Sequence, residues 1–359
     1  MIEDPQFRPI DRFDLLDLET VRLILRGGSV VDWYRLNFEN RTDVDEFFLA
    51  NEFRFDDPAD RSRAQRIQAD SVGYLRRNFR FPIPRPVENS SVEDLVLLAS
   101  SRGHRQLCAC TILKVMHIIH HLEGRELLFV LPLSDQELFH HVEEKVYRVV
   151  GGMLAKELPL VEFLGGRKNK DSLYTKLLSK RSSTAAQIYD KLRFRLVTPT
   201  RDDLMPVLRY LTRTLFPFNY CVPGESTNSL LPFRHYGESH APLRALLPGL
   251  QMELDLEEQE GIGDNPFSAR DFRVVHFVVD MPVRLPADVI AAAPPAAWNL
   301  GRVGFVQCEF QLVDRESEAA NEAGESSHAA YKERQASAVV RRLTQGLRDG
   351  EPRRSRKLS

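Results

Sequence analysis

The hydrophobic periodicity of this chain changes near Leu158, and this change constrains the fold more than any other feature. Upstream, apolar residues recur at the three- and four-residue spacing of amphipathic helices, as between Leu15 and Ile24. Downstream, short β-branched and aromatic runs alternate with helical segments, which indicates an α/β or α+β domain. The sequence therefore predicts three parts: a mainly helical region with a proline-rich linker near 81–87 (residues 1–155), a domain of helices and strands (156–335) and a basic, flexible tail (336–359).

Alternating apolar and polar residues mark the strands of the downstream part. The pattern predicts three strands, over residues 191–197, 272–281 and 303–313. In the first strand, Arg193 and Arg195 occupy the positions between the apolar residues. In the last strand, Glu309 lies on the polar face. Each of these strands is therefore expected to bury one face and to leave the charged face accessible.

The overall charge and cysteine content exclude several classes of protein. The chain carries 49 Lys and Arg residues against 51 Asp and Glu residues, and 43% of its residues are hydrophobic. This composition is that of a globular protein and argues against a DNA-binding coat. Four cysteines in 359 residues do not form a disulfide framework. Because the N-terminus lacks a signal peptide and no apolar run could span a membrane, we expect a cytoplasmic protein without a membrane partner.

The positive charge is concentrated in one segment, from Arg167 to Arg195. This segment contains nine basic residues and two acidic ones, a local charge of +7 in a chain of net charge −2. Cations on adjacent elements of a compact domain suit a polyphosphate, whose charge they neutralise together. A solvated basic face is the alternative interpretation.

Two carboxylates favour the polyphosphate interpretation. Asp190 lies at the start of the basic strand, and Glu309 lies on the polar face of the last strand. Magnesium prefers a small number of carboxylates together with phosphate oxygens and water. The two acidic residues beside a cationic cluster therefore predict a Mg²⁺ site shared with nucleotide phosphates.

Four segments, in the same order along the chain, resemble motifs of the RelA/SpoT-type alarmone synthetases, which make (p)ppGpp. They are similar to the family's ATP-binding segment, its following aspartate–arginine segment, its E-I-Q-I strand and its closing helix: residues 166–176, 188–195, 308–312 and 324–332. The resemblance covers about residues 160–335. It implies an α+β fold with a nucleotidyltransferase-like mixed β-sheet flanked by helices. It also implies transfer of the β,γ-diphosphate of ATP to the 3′-hydroxyl of GDP or GTP, with Mg²⁺ as cofactor.

The resemblance also implies a role for each matching residue. The residues that match the catalytic positions are Asp190, Glu309 and Arg195, and of these Asp190 and Glu309 also match the metal-binding positions. Those that match the ATP-binding positions are Arg167, Lys168, Lys170, Ser172, Lys176 and Arg193. Those that match the acceptor-nucleotide positions are Phe272, which would stack on the base, His276, Gln311 and His328. A helix-surface histidine is the alternative for His328.

The acceptor segment departs from the family pattern. Residues 270–276 retain an aromatic ring at Phe272 and the imidazole of His276, but the expected Asn, Gly and Ser are replaced. Two alternative functions are therefore left open. One is a nucleotide-binding regulatory protein with a degenerate site, and the other is a toxin-like diphosphotransferase that uses an adenine nucleotide or a tRNA 3′ end. The sequence also leaves open a homo-oligomer.

A histidine pair upstream suggests a different kind of site. His117 and His121 are four residues apart on an otherwise apolar helix, a spacing that can bind zinc. Ordinary, partly buried histidines are the expected interpretation of this pair.

Overall fold

The computed structural model describes residues 7–167, 170–179, 192–250, 272–323 and 328–344. Within these residues, seven α-helices precede the first strand, which agrees with the predicted helical region. They are α1 (Leu15–Arg26), α2 (Arg41–Ala50), α3 (Pro58–Phe79), α4 (Arg85–Glu88), α5 (Val92–Ala99), α6 (His104–Val130) and α7 (Asp135–Ala155).

Local sequence signals fix where several of these helices begin and end. Ser134 and Glu137 form a reciprocal capping box at the start of α7, as the sequence predicts. At the end of α1, Gly27 adopts a φ of 66°, a left-handed conformation that favours glycine. The hydrophobic periodicity predicts a helix over about residues 107–122, and α6 extends beyond both ends of this range. Its Gly124 lies where an added Cβ would overlap the ring of Phe305. Glycine at this position therefore lets α6 approach the sheet closely.

The rest of the described chain forms a five-stranded mixed sheet with further helices, which confirms the predicted α+β class. The strands are β1 (Glu162–Arg167), β2 (Leu192–Thr198), β3 (Thr227–Asn228), β4 (Val275–Arg284) and β5 (Val303–Asp314). The helices are α8 (Lys170–Ser179), α9 (Leu204–Thr214), α10 (Phe233–Ser239), α11 (Ala241–Leu246), α12 (Ala287–Ala291), α13 (Arg315–Asn321) and α14 (His328–Leu343).

The strand order is β1-β2-β5-β4-β3, and only β2 and β5 run parallel. One face of the sheet is apolar, because Phe194, Phe277 and Phe310 lie on it with ring centroids 5.4 to 5.6 Å apart. Phe216, which follows α9, packs against the same rings. The opposite face of the central strands carries the charged residues, as the alternation predicts.

The structure differs from the sequence prediction in four places. Strand β4 begins at Val275, three residues later than predicted, and continues through Pro282, whose missing N–H is tolerated because β4 pairs there only with β5. The proline-rich segment contains a single helical turn, α4. A loop was expected over residues 219–241, but β3 and α10 form there. Helix α14 continues to Leu343, so residues 336–343 of the expected tail are helical.

Two further properties follow from the described residues. All four cysteines are free and buried, as expected. None of the described helices is long and apolar enough to cross a membrane.

Candidate functional site

Strand register brings the predicted charged residues together on one face of the sheet. In the parallel pair β2–β5, Arg193 lies beside Glu309 and Arg195 lies beside Gln311. In the antiparallel pair β4–β5, His276 lies beside Gln311. Residues that lie side by side on paired strands project from the same face. The five side chains therefore form one group, which we call the polar cluster.

Gln311 is the hub of the polar cluster. Its side-chain Oε1 accepts hydrogen bonds from Arg193 Nη2 at 3.2 Å and from Arg195 Nε and Nη2 at 3.1 and 3.0 Å. Its Nε2 donates to Glu309 Oε1 at 2.7 Å. Because the amide oxygen faces cations and the amide nitrogen faces a carboxylate, the amide has one favourable orientation. The resemblance assigns Gln311 to the acceptor nucleotide, whereas its described contacts are with the other residues of the cluster.

Glu309 is a buried carboxylate surrounded by donors. Its side chain is 7% exposed, and its Oε1 lies 3.4 Å from His276 Nε2 and 3.8 Å from Arg193 Nε. Such a carboxylate is costly to bury unless cations or hydrogen-bond donors compensate its charge. A positive charge near Glu309, either from the protein or from a bound cation, is therefore electrostatically favourable.

The donor set fits magnesium better than zinc. No group of three or more His, Cys, Asp or Glu side chains arranged to hold a metal ion occurs among the described residues. Magnesium needs fewer protein ligands, because phosphate oxygens and water complete its coordination shell. Glu309 offers one carboxylate. Asp190, which the sequence predicts as the second, lies outside the described residues, two positions before β2 in the sequence.

Helix α13 supports the cluster from the side, and the sequence did not predict this role. Arg195 Nη1 donates to Glu318 Oε1 at 2.7 Å, and the guanidinium is only 14% exposed. On the same helix, the side chain of Asn321 accepts from the backbone N–H of Arg273 at 2.9 Å and donates to its carbonyl at 2.7 Å. Asn321 thereby fixes the backbone that leads into β4. Neither residue belongs to a recognisable motif.

Phe272, the predicted base-stacking residue, lies next to this fixed segment. Its ring is half-buried and makes no aromatic contact with any described residue. Its carbonyl accepts a hydrogen bond from Ser229 Oγ at 2.8 Å. The backbone at Phe272 is thus held in place, while its ring is not part of the aromatic core under the sheet.

Arg167 does not join the polar cluster. Strand β1 pairs with β2 so that Gly166 lies beside Arg193, whereas Arg167 lies beside Leu192 on the opposite face. The Arg167 guanidinium donates to Glu143 of α7 at 3.0 and 2.8 Å. The sequence motif placed Arg167 among the cations of the site, and strand alternation in β1 turns its side chain away from them.

The remaining predicted residues are described in part or not at all. Lys168 lies outside the described residues. Helix α8 carries Ser172, which is half-buried, and the backbone positions of Lys170 and Lys176. Helix α14, which begins at His328, packs against α8, and Arg342 Nη1 donates to the carbonyl of Leu178 at 2.9 Å. The helix of the ATP-binding motif therefore lies beside the helix of the closing motif.

Comparisons with known proteins come from solved structures alone, since neither a protein-family model nor a curated protein sequence matches the chain. Small alarmone synthetase 2 from Bacillus subtilis matches with 15% identity and a TM-score of 0.30, over 62% of this chain and 96% of that one. Small alarmone synthetase 1 from the same organism has 15% identity and a TM-score of 0.29, over 59% and 88%. A GTP pyrophosphokinase family protein from Streptococcus pneumoniae has 13% identity and a TM-score of 0.29, over 60% and 88%.

These likenesses carry no argument about the family or activity of this chain, because each TM-score is below 0.5. At such identities and TM-scores, the chemistry of the site rests on the residues of this chain.

Proposed function

We propose that this protein is a cytoplasmic, magnesium-dependent pyrophosphotransferase that moves the β,γ-diphosphate of ATP to the 3′-hydroxyl of GDP or GTP. The observation that carries the proposal is the polar cluster, in which Arg193 and Arg195 flank the buried carboxylate of Glu309 on one face of the sheet. Guanidinium groups bind phosphate oxygens with strong, often bidentate hydrogen bonds. A carboxylate among them suits the magnesium ion that accompanies a nucleoside triphosphate.

In the proposed reaction, the 3′ oxygen of the acceptor attacks the β-phosphorus of ATP. A new oxygen–phosphorus bond forms, the bond from the β-phosphorus to the α,β-bridging oxygen breaks, AMP leaves and the hydroxyl proton passes to a base. Arg193 and Arg195 would neutralise the charge on the transferred group, which is the main task of a protein in phosphoryl transfer. Mg²⁺ held by Glu309 and Asp190 would supply additional neutralisation of the triphosphate.

The acceptor nucleotide is proposed to bind at the start of β4. His276 lies beside Gln311 and within 3.4 Å of Glu309, so an acceptor phosphate near His276 would also lie near the cations of the cluster. Phe272 would stack on the acceptor base, since its ring is not packed against other described aromatic rings. Guanine is the base that the resemblance implies, while the replaced residues around Phe272 make the base the least constrained part of the proposal.

A second candidate is a regulatory protein that binds nucleotides without turnover. A specific observation favours it, because Arg195 already donates to Glu318 and to Gln311 through three of its nitrogens. A guanidinium that is engaged in this way has fewer donors for a transferring phosphate. This candidate predicts nucleotide binding by calorimetry and no product.

The deciding experiment is a product assay with ATP labelled in its β,γ-diphosphate. Purified protein is incubated with Mg²⁺ and one acceptor at a time: GDP, GTP, an adenine nucleotide or tRNA. The proposal expects a 3′-diphosphorylated guanine nucleotide, and Asp190→Ala is expected to abolish it. Arg76→Gln is the control, because Arg76 forms an exposed ion pair with Glu88 on the helical region.

Each alternative has its own outcome in this assay. Labelled adenine nucleotide or tRNA in place of labelled GDP or GTP would support the toxin-like transferase. Nucleotide binding in calorimetry, together with no product in this assay, would support the regulatory protein. If Asp190→Ala and wild type gave equal activity, the proposed site would be wrong.

A further inference from the structure

A cavity of about 80 Å³ lies in the helical region and contains none of the residues proposed for nucleotide chemistry. It is lined by side chains of α2, α3, α5 and α6 and of the turn at Phe218–Tyr220, and it is partly open to solvent. Most of the lining is aliphatic or aromatic, including Phe48, Phe53 and Ile67. Water binds weakly in a cavity with such an apolar lining. A polar group in its wall therefore needs a specific hydrogen-bond partner.

Two buried polar groups in the wall lack such a partner. His120 is 4% exposed, and neither of its ring nitrogens has a hydrogen-bond partner among the described residues. The Oδ1 atom of Asn219 is likewise buried and unpaired within the described part of the chain. Buried polar side chains in folded proteins are almost always hydrogen-bonded, and an unpaired one costs stability. Their presence in one cavity wall therefore points to an occupant.

The protonation states of the histidines in the cavity wall indicate which hydrogen-bonding groups a bound molecule would carry. Burial lowers the pKa of His117 to about 3 and lowers the pKa of His120 well below its usual value. Both imidazoles are therefore neutral at pH 7, and each neutral ring has one donor and one acceptor nitrogen. Asn219 Nδ2 lies 3.0 Å from Asn51 Oδ1 and 3.2 Å from His117 Nδ1, which leaves its Oδ1 as a free acceptor.

We propose that this cavity binds a small neutral molecule that is apolar over most of its surface and carries a hydrogen-bond donor beside an acceptor. The donor and the acceptor would pair with His120 and with Oδ1 of Asn219. A charged group at this depth would face neutral side chains and lose its hydration without compensation. Among the lining residues, Lys114 alone carries a charged side chain, and it is partly exposed.

The size of the cavity limits the occupant. A cavity of about 150 Å³ accommodates benzene, and one water molecule needs roughly 10–15 Å³. The 80 Å³ found here is too large for one water molecule and suits a ring or branched chain of about five heavy atoms. Partial exposure of Trp33 and Lys114 allows a somewhat longer molecule to extend outward.

Pyrazole and thiophene form a matched pair of probes for this proposal. Both are five-membered aromatic rings, but only pyrazole carries an N–H donor beside an acceptor nitrogen. Their affinities are measured on the full-length protein by calorimetry and by thermal shift at about 20 mM, because about five heavy atoms support millimolar binding. We expect pyrazole to bind at least about fivefold more tightly than thiophene, the ratio that one net hydrogen bond supplies.

Two variants test whether the preference arises in this cavity. His120→Phe keeps a ring and removes both nitrogens, so pyrazole is expected to lose its advantage over thiophene. His140→Gln is the matched control, because His140 lies on the exposed surface of α7, and it should bind pyrazole as wild type does. If His120→Phe does not fold, Ala64→Leu, which fills the cavity from α3, is expected to abolish binding of both probes.

Three results would overturn the proposal. One is equal binding of pyrazole and thiophene to the wild-type protein, or binding of neither. Another is unchanged pyrazole affinity in His120→Phe, or in Ala64→Leu when that variant has to be used. The last is a crystal structure, soaked with pyrazole, in which ordered water alone bridges His120 and Asn219.

Discussion

Replacing Glu309 by Gln tests the centre of the proposed site with the smallest possible change. The substitution removes one negative charge and keeps the size and the planar end of the side chain. In the structure, this carboxylate accepts from Gln311 Nε2 at 2.7 Å and lies 3.8 Å from Arg193 Nε. If Glu309 holds a magnesium ion, the substitution should affect catalysis far more than folding.

The expected effect on stability follows from these contacts. The hydrogen bond from Gln311 persists in neutral form, so its charge-assisted part, about 1 kcal/mol, is lost. The ion pair with Arg193 is partly exposed at 27% of the arginine side chain, so it contributes about 1 kcal/mol or less. Together these terms predict that the free energy of unfolding falls by about 2 kcal/mol. Chemical denaturation of both proteins measures this difference.

The expected effect on catalysis is larger. Loss of a magnesium ligand removes several kcal/mol of charge stabilisation, and about 3 kcal/mol corresponds to a roughly 100-fold lower rate. Initial rates are measured well below the unfolding temperature across a range of Mg²⁺ concentrations. We expect the Mg²⁺ concentration for half-maximal activity to rise at least about tenfold, because affinity for the ion depends on ligand charge.

Glu318→Gln is the matched control for Glu309→Gln. It makes the same chemical change in a carboxylate that contacts Arg195 from helix α13, at 17% exposure. Its magnesium dependence should equal that of wild type. A Glu309→Gln enzyme with wild-type rate and wild-type magnesium dependence would refute the role of Glu309 in metal binding.

Three further predictions concern the opposite sheet face, the buried histidine and the helical core. Arg193→Gln should lower kcat/KM about 100-fold. Arg167→Gln should lower it less than about tenfold, because Arg167 projects from the other face of the sheet. Similar losses in both variants would contradict the placement of these two arginines on opposite faces. Burial lowers the pKa of His117 to about 3 from its ordinary value of 6.5, so the unfolded chain takes up a proton below pH 6.5 that the folded chain refuses. His117 alone should therefore lower the free energy of unfolding by about 2 kcal/mol from pH 7 to pH 5, and His120, whose pKa is also lowered by burial, adds to this fall. In His117→Phe the fall should be smaller by about 2 kcal/mol, as denaturant titrations at both pH values would show. Asp17→Asn should cost about 3–5 kcal/mol, because it removes a buried negative charge 2.7 Å from the buried guanidinium of Arg209. An unchanged melting temperature would contradict this prediction.

Much of the polar cluster follows from sequence alternation. The strict pattern around Arg193 and Arg195 places both guanidinium groups on one face, and the pattern around Glu309 does the same for its carboxylate. Alternation gives the face of a residue within its own strand, but it does not give which strands are neighbours. The resemblance implied a mixed sheet but not its strand order, so the pairing of β2 with β5 is known only from the structure.

Other parts of the site left no readable signal in the sequence. Strand β1 is a six-residue edge strand with two glycines, so its alternation is too weak to show that Arg167 faces away from Arg193. Glu318 and Asn321 lie on a short helix and act through contacts with residues distant in sequence. Such contacts depend on how α13 packs on the sheet, and no local spacing encodes that packing.

The contacts of Arg195 indicate how a nucleotide would enter the proposed site. Its Nε and Nη2 donate to Gln311, which is buried, while its Nη1 donates to Glu318, which is partly exposed. A triphosphate carries more negative charge than one carboxylate and offers more acceptor oxygens. It would therefore compete for Arg195 with the partly exposed Glu318 more readily than with the buried Gln311. Gln311 would then continue to orient the guanidinium while a phosphate oxygen replaced Glu318. If the protein is an enzyme, we therefore expect the Arg195–Glu318 contact to be exchanged for a substrate phosphate, whereas in a regulator Arg195 would stay paired with Glu318.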